Sequence, residues 1–101
     1  MVYAAKVAEV PEWGKKLVQL AGHEILLVKA KGKLYACERE CPHQGAMLDG
    51  AIIKEAGTIT CPRHGYRFDL VTGECAAHPE CSRLRIYPLE VRGDEIFVDL
   101  A

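Results

Sequence analysis

Two short segments constrain this chain more than any other feature: Cys41-Pro42-His43-Gln44-Gly45 and, with seventeen residues between His43 and Cys61, Cys61-Pro62-Arg63-His64-Gly65. Each sets a histidine two or three positions after a cysteine and follows it with glycine. A proline directly after each cysteine fixes φ, and the glycine permits backbone angles or close approaches that a Cβ would obstruct. Both segments therefore read as sharply turning loops rather than helix faces. The seventeen residues between His43 and Cys61 are enough to leave one loop, run through Ile52-Ile53 and Thr58-Ile59-Thr60 as a predicted strand pair, and return to the other. Two loops bearing the same pair of side chains are thus set to face each other.

The rest of the chain supplies a base for them. At 101 residues there is room for one core, and a domain of this size buries roughly two-thirds of the surface its unfolded chain exposes. We expect a single domain over 1–101, with about 41–79 as a binding subdomain on a β base. Helical periodicity is weak, while short β-rich runs punctuated by Gly, Pro and Asp recur, which predicts an all-β fold. His23 to Ala30, a turn centred on Gly32, and Leu34 to Cys37 predict one hairpin. Leu84, Ile86, Leu89 and Val91 predict another strand, returning through Arg92-Gly93-Asp94 to Ile96, Val98 and Leu100. Pro88 marks an edge or a bulge in it. No repeat of 20–50 residues is present beyond the local Cys/His echo.

Composition excludes several function classes. Thirteen basic and fourteen acidic residues give a formal net charge of -1, and no run of like charges forms a basic arm for nucleic acid. No apolar run approaches the ~20 residues of a membrane helix, and the N-terminus lacks a secretory leader, so the expected location is cytoplasmic. Five cysteines are present; an odd number without an export signal points to metal binding over a disulfide framework. Cys37, Cys75 and Cys81 fall outside the echo and are expected as plain thiols. The spacing of Cys75 and Cys81 permits a bridge, but a cytoplasmic setting disfavours it. His23 and His78 read as surface residues, Trp13 as a packing anchor, and Met47-Leu48 as apolar cover that keeps water from the loops.

A thiolate is a soft donor that stabilises ferric iron beside sulfide, and a neutral imidazole gives less charge to the metal. Two of each make an asymmetric diiron site whose histidine-bound iron accepts the electron more readily. In that ligand order Cys41-x-His43 and Cys61-x-x-His64 resemble the Rieske [2Fe-2S] motif, in its ferredoxin form. The likeness continues through Tyr66-Arg67-Phe68-Asp69 and Thr72-Gly73-Glu74 and into the flanking hairpins.

The resemblance implies an antiparallel β-sandwich or incomplete barrel with a two-loop cluster-binding insert, and one 2Fe-2S cluster. It implies Cys41 and Cys61 on the inner iron, His43 and His64 on the outer iron, and a covering loop around Pro79. The high-potential branch of the family has a disulfide between its two loops; the matching positions here are Ala46 and Arg63. That branch also has hydroxyl donors where this chain has Tyr66 and Phe68, so a lower potential is implied. The implied role is a one-electron carrier, not an enzyme, between a flavoprotein reductase and a terminal oxygenase in aromatic hydrocarbon catabolism. Arg63, Arg67, Glu38, Arg39, Glu40 and Asp49 are candidates for docking such partners. Two other readings stand beside it: a small subunit of a multi-component reductase such as nitrite reductase, and a Cys2His2 zinc module, whose usual spacing groups cysteines before histidines.

Overall fold

The computed structural model describes residues 1–42, 47–62, 65–75 and 82–100. Its strands are β1 (Val2–Lys6), β2 (Gly14–Leu20), β3 (His23–Ala30), β4 (Lys33–Glu38), β5 (Thr58–Thr60), β6 (Arg67–Asp69), β7 (Ile86–Tyr87), β8 (Leu89–Arg92) and β9 (Glu95–Val98). Two single 3₁₀ turns, Val7–Glu9 and Leu48–Gly50, are the helical elements among the described residues. All the pairings are antiparallel and form three sheets, ordered β1-β9-β8, β2-β3-β4-β7 and β5-β6. The expected all-β class is observed.

β3 is the wall that organises the molecule. Its successive side chains point to opposite faces of the sheet, and both faces are covered, so Ile25, Leu26, Leu27 and Val28 are all buried. Leu26 and Val28 join Tyr35, Cys37, Cys41, Leu48, Ile59, Cys61, Phe68 and Leu84 in one apolar cluster. Ile25 and Leu27 face the other way, packing with Ala5, Val18, Ala36, Tyr87 and Ile96. A one-residue slip of β3 would exchange these two sets. The first cluster lies under the two cysteine loops, and the second holds the base together.

The turns follow from local chemistry. Lys31 and Gly32 link Ala30 to its partner Lys33 with φ of 53° and 73°, the two-residue hairpin turn with both central residues left-handed. Ala21 and Gly22 do the same between Leu20 and His23, with φ of 49° and 84°. The C-terminal run departs from the single strand expected: β7 pairs with β4, whereas β8 pairs with β9. Pro88 sits at the crossing, where a residue without an N–H costs no ladder bond. The expected pairing of Ile52-Ile53 with Thr58-Ile59-Thr60 contracts to one bridge between Ile52 and Thr60, on the edge of β5 opposite its partner β6.

Cys37 is fully buried on β4 and outside any disulfide. Burial, and then the charge of Glu38, push its thiol from 9.0 up to about 12. The folded form thus keeps a proton that the unfolded chain releases near 9.0. The stabilisation is complete below that pH and is lost as pH rises towards the folded value. Denaturant melts between pH 8 and pH 11 should show stability falling with pH, and Cys37→Ala should flatten that fall.

Candidate metal centre

The first cysteine loop begins where β4 ends and is closed at its base. Glu40 and Met47 form an isolated antiparallel bridge, and the Leu48 N–H donates to the Arg39 carbonyl at 2.7 Å. Chain entry and exit are thereby side by side, with Cys41 just inside. The following 3₁₀ turn places Leu48 in the core beside Cys41, and the Ala51 N–H closes it onto the Leu48 carbonyl at 2.9 Å.

The second loop caps the β5-β6 hairpin, in which Thr60 pairs with Arg67. The Cys61 N–H donates to the Tyr66 carbonyl at 2.7 Å, and the Cys61 carbonyl accepts from the Gly65 N–H at 3.1 Å. Gly65 has a φ of +69°, a left-handed angle that glycine takes without steric cost. The second loop is therefore pinned at its cysteine, and the first at the two residues before its own. Cys41 and Cys61 are each 1% exposed, carry no disulfide, and belong to the same apolar cluster.

His43 and His64 lie outside the described residues, as do Gln44, Gly45, Ala46, Arg63, His78, Pro79 and Cys81. Among the described residues no group of three or more His, Cys, Asp or Glu converges. The structure thus places the two thiol members of the expected ligand set, Cys41 and Cys61, in one buried apolar cluster. Two buried sulfur donors at the mouths of adjacent pinned loops fit the soft, thiolate-rich half of an iron-sulfur site.

Around them, some expectations change. Met47 is 45% exposed and Leu48 is 0% exposed, so of the pair Leu48 alone covers the cysteines from below. Trp13, expected as a packing anchor, is 44% exposed in the turn before β2 and belongs to neither apolar cluster. His23 stacks edge-on to Tyr87 at 6.1 Å. Cys75, expected as a thiol, is disulfide-bonded. It is partly buried and bridged to Phe68, so its backbone is already fixed, and local geometry prevails over the compartment argument. Arg39 forms ion pairs with Glu24 at 2.7 Å and Asp49 at 2.8 Å. The sequence offers no local signal for these pairs, whose members lie fifteen and ten residues apart.

This is a small antiparallel β domain that sets two pinned cysteine loops over one apolar cluster. The Rieske [2Fe-2S] domain family model matches residues 1–88, and the chain belongs to that family. It is 35% identical over 99 residues to the 3-phenylpropionate/cinnamic acid dioxygenase ferredoxin subunit of Escherichia coli strain K12, covering 98% of this chain and 92% of that one. The ferredoxin of carbazole 1,9a-dioxygenase from Nocardioides aromaticivorans IC177 superposes with a TM-score of 0.86 at 31% identity, covering 96% and 94% of the two chains. The terminal oxygenase of the same system also contains this fold, with a TM-score of 0.84 at 28% identity, but only 29% of that chain is covered. The observed antiparallel architecture is that of the Rieske ferredoxins.

Proposed function

We propose that this chain is a one-electron carrier that passes electrons from a flavoprotein reductase to a terminal oxygenase acting on aromatic compounds. Its single Rieske [2Fe-2S] cluster would be held by Cys41, His43, Cys61 and His64. The observation that carries this reading is the pair of buried thiols, Cys41 and Cys61, at the mouths of two backbone-pinned loops over one apolar cluster. The ferredoxin-subunit names of the relatives support the choice of acceptor. We further propose a single unit in which about 41–79 is the cluster-binding part, working in the cytoplasm without a substrate site of its own. No helix among the described residues is long and apolar enough to cross a membrane.

The chain's own contribution is burial, orientation and exclusion of water. When bound, the cluster supplies reversible one-electron chemistry at its histidine-bound iron. Leu48, Ile59, Phe68 and Leu84 pack around the cysteines and deny water access from the base side. The closures at Arg39–Leu48 and Cys61–Tyr66 tie each loop at its base. Phe68 is fully buried and has no hydroxyl to donate. With fewer donors, added negative charge is less stabilised, and the midpoint potential is expected below roughly 0 mV, in the lower part of the Rieske range. Film voltammetry of the loaded protein checks this.

The function itself is tested by anaerobic stopped-flow mixing. The loaded protein is reduced with NADH and a catalytic amount of a dioxygenase flavoprotein reductase, then mixed with an oxidised Rieske oxygenase. Reduction followed by rapid reoxidation on mixing supports the carrier. Reduction with no onward transfer to any of a panel of such oxygenases would contradict the proposed acceptor class.

A further inference from the structure

Four charged side chains join the first loop to the base sheet. Arg39 lies between the end of β4 and Glu40. Its Nη1 donates to Glu24 Oε2 on β3 at 2.7 Å, and its Nε donates to Asp49 Oδ1, just beyond the loop, at 2.8 Å. The backbone of Arg39 is engaged as well, donating to the Glu24 carbonyl at 3.2 Å and accepting from Leu48 at 2.7 Å. On the far side of Asp49, Lys15 of β2 donates to the Ala51 carbonyl at 2.7 Å. Three neighbouring strands thus hold both ends of one loop.

This arrangement is a poor device for global stability. Exposed ion pairs typically contribute little, since solvent screens them, and the Arg39, Asp49 and Glu24 side chains are 26%, 39% and 48% exposed. What it supplies is direction. A guanidinium offers donors on a rigid planar fork, and here two of them point to carboxylates on different elements. A lysine has one point charge for the same two acceptors.

We propose that Arg39 is a positioning residue for the first ligand loop. By gripping Glu24 and Asp49 together it fixes the strand entry and 3₁₀ exit between which Cys41 and His43 lie, and it balances the two carboxylates beside the loop. Disturbing it changes both the geometry and the potential of the centre. This inference rests on the assignment of Cys41 and His43 as ligands.

The test compares loaded wild-type protein with Arg39→Gln, Arg39→Lys and Asp49→Asn by voltammetry and by electron paramagnetic resonance of the reduced state. In Arg39→Gln two carboxylates are left uncompensated. At the wild-type midpoint its ratio of oxidised to reduced protein should rise about three- to tenfold, tenfold being about 59 mV for one electron, and its resonance should broaden. Asp49→Asn should move the ratio in the opposite direction. Arg39→Lys should restore the potential but keep the broadened line, because one ammonium cannot hold both carboxylates in place. Wild-type potential and line shape in both Arg39→Gln and Asp49→Asn overturn the proposal, even if melting temperatures fall. Should Arg39→Gln fail to load, Asp49→Asn decides, since it leaves the Arg39–Glu24 pair in place and an unshifted midpoint overturns the proposal. A wild-type sample without an iron-sulfur resonance contradicts the ligand assignment instead, so the two failures are distinguishable.

Discussion

Replacing His43 or His64 with cysteine is expected to lower the midpoint potential by about 100 mV or more, roughly half of the ~250 mV gap between the bottom of the Rieske range and plant-type clusters, in which thiolates stand in place of both imidazoles. The cause is charge. A neutral imidazole leaves its iron more electron-poor than a thiolate does, so exchanging one for the other makes an added electron harder to accept. The cysteine positions should respond differently. Cys41 and Cys61 are buried in the core cluster, so Cys41→Ala and Cys61→Ala remove a ligand where no solvent group is placed to replace it. Both variants should purify without colour or acid-labile sulfide. Voltammetry and sulfide analysis across the four variants check the pattern, and histidine variants with unmoved potentials would show that the imidazoles are not ligands.

Gly73→Ala is expected to destabilise the fold by about 2 to 4 kcal/mol, the combined effect of a disfavoured backbone angle and a clash. Gly73 has a φ of +81°, and a Cβ there would lie 2.1 Å from the Leu84 carbonyl oxygen and 3.3 Å from Ile86 Cγ1. The approach is close because Gly73 is bonded on both sides. Its N–H donates to the Asp69 carbonyl and its own carbonyl accepts from Leu84, each at 2.8 Å. Asp69 holds the same turn with its carboxylate, accepting from Val71 at 2.7 Å and Thr72 at 3.1 Å. Leu84 packs in the cluster that contains Cys61, so the damage reaches the metal side. Gly22 separates strain from packing: it has a φ of +84°, and a Cβ added there would meet nothing within 4 Å. Gly22→Ala should therefore cost only roughly 1 kcal/mol. Urea melts of the two variants give the comparison, and equal losses would show that the contact with Leu84 does not matter.

What is legible in the sequence is local. Lys31-Gly32 between apolar runs specifies its hairpin, as Arg92-Gly93-Asp94 specifies the last one, because turn chemistry acts over two or three residues. The Cys/His echo points to the centre for the same reason, each half carrying its own proline and glycine. Non-local features are hidden. β1 pairs with β9 from the opposite end of the chain, and nothing in Val2–Lys6 names that partner. Pro88 reads as an edge or bulge, but its use as the crossing between two sheets depends on β4 and β9 being available on either side. The surroundings of the candidate site are hidden in the same way. Arg39 is indistinguishable from other surface charge until the fold brings Glu24 and Asp49 to it, and Met47 and Leu48 are alike until the 3₁₀ turn sends one inward. Cys75 shows the reverse error, a compartment argument applied where local geometry governs.

The most direct test is a single anaerobic sample of purified wild-type protein, assayed for iron and acid-labile sulfide and examined by electron paramagnetic resonance after dithionite reduction. Two irons and two sulfides per chain, with the resonance of a mixed histidine and cysteine diiron cluster, are predicted. A colourless protein that contains zinc and no sulfide, or a reduced cluster with an all-cysteine resonance, would contradict it.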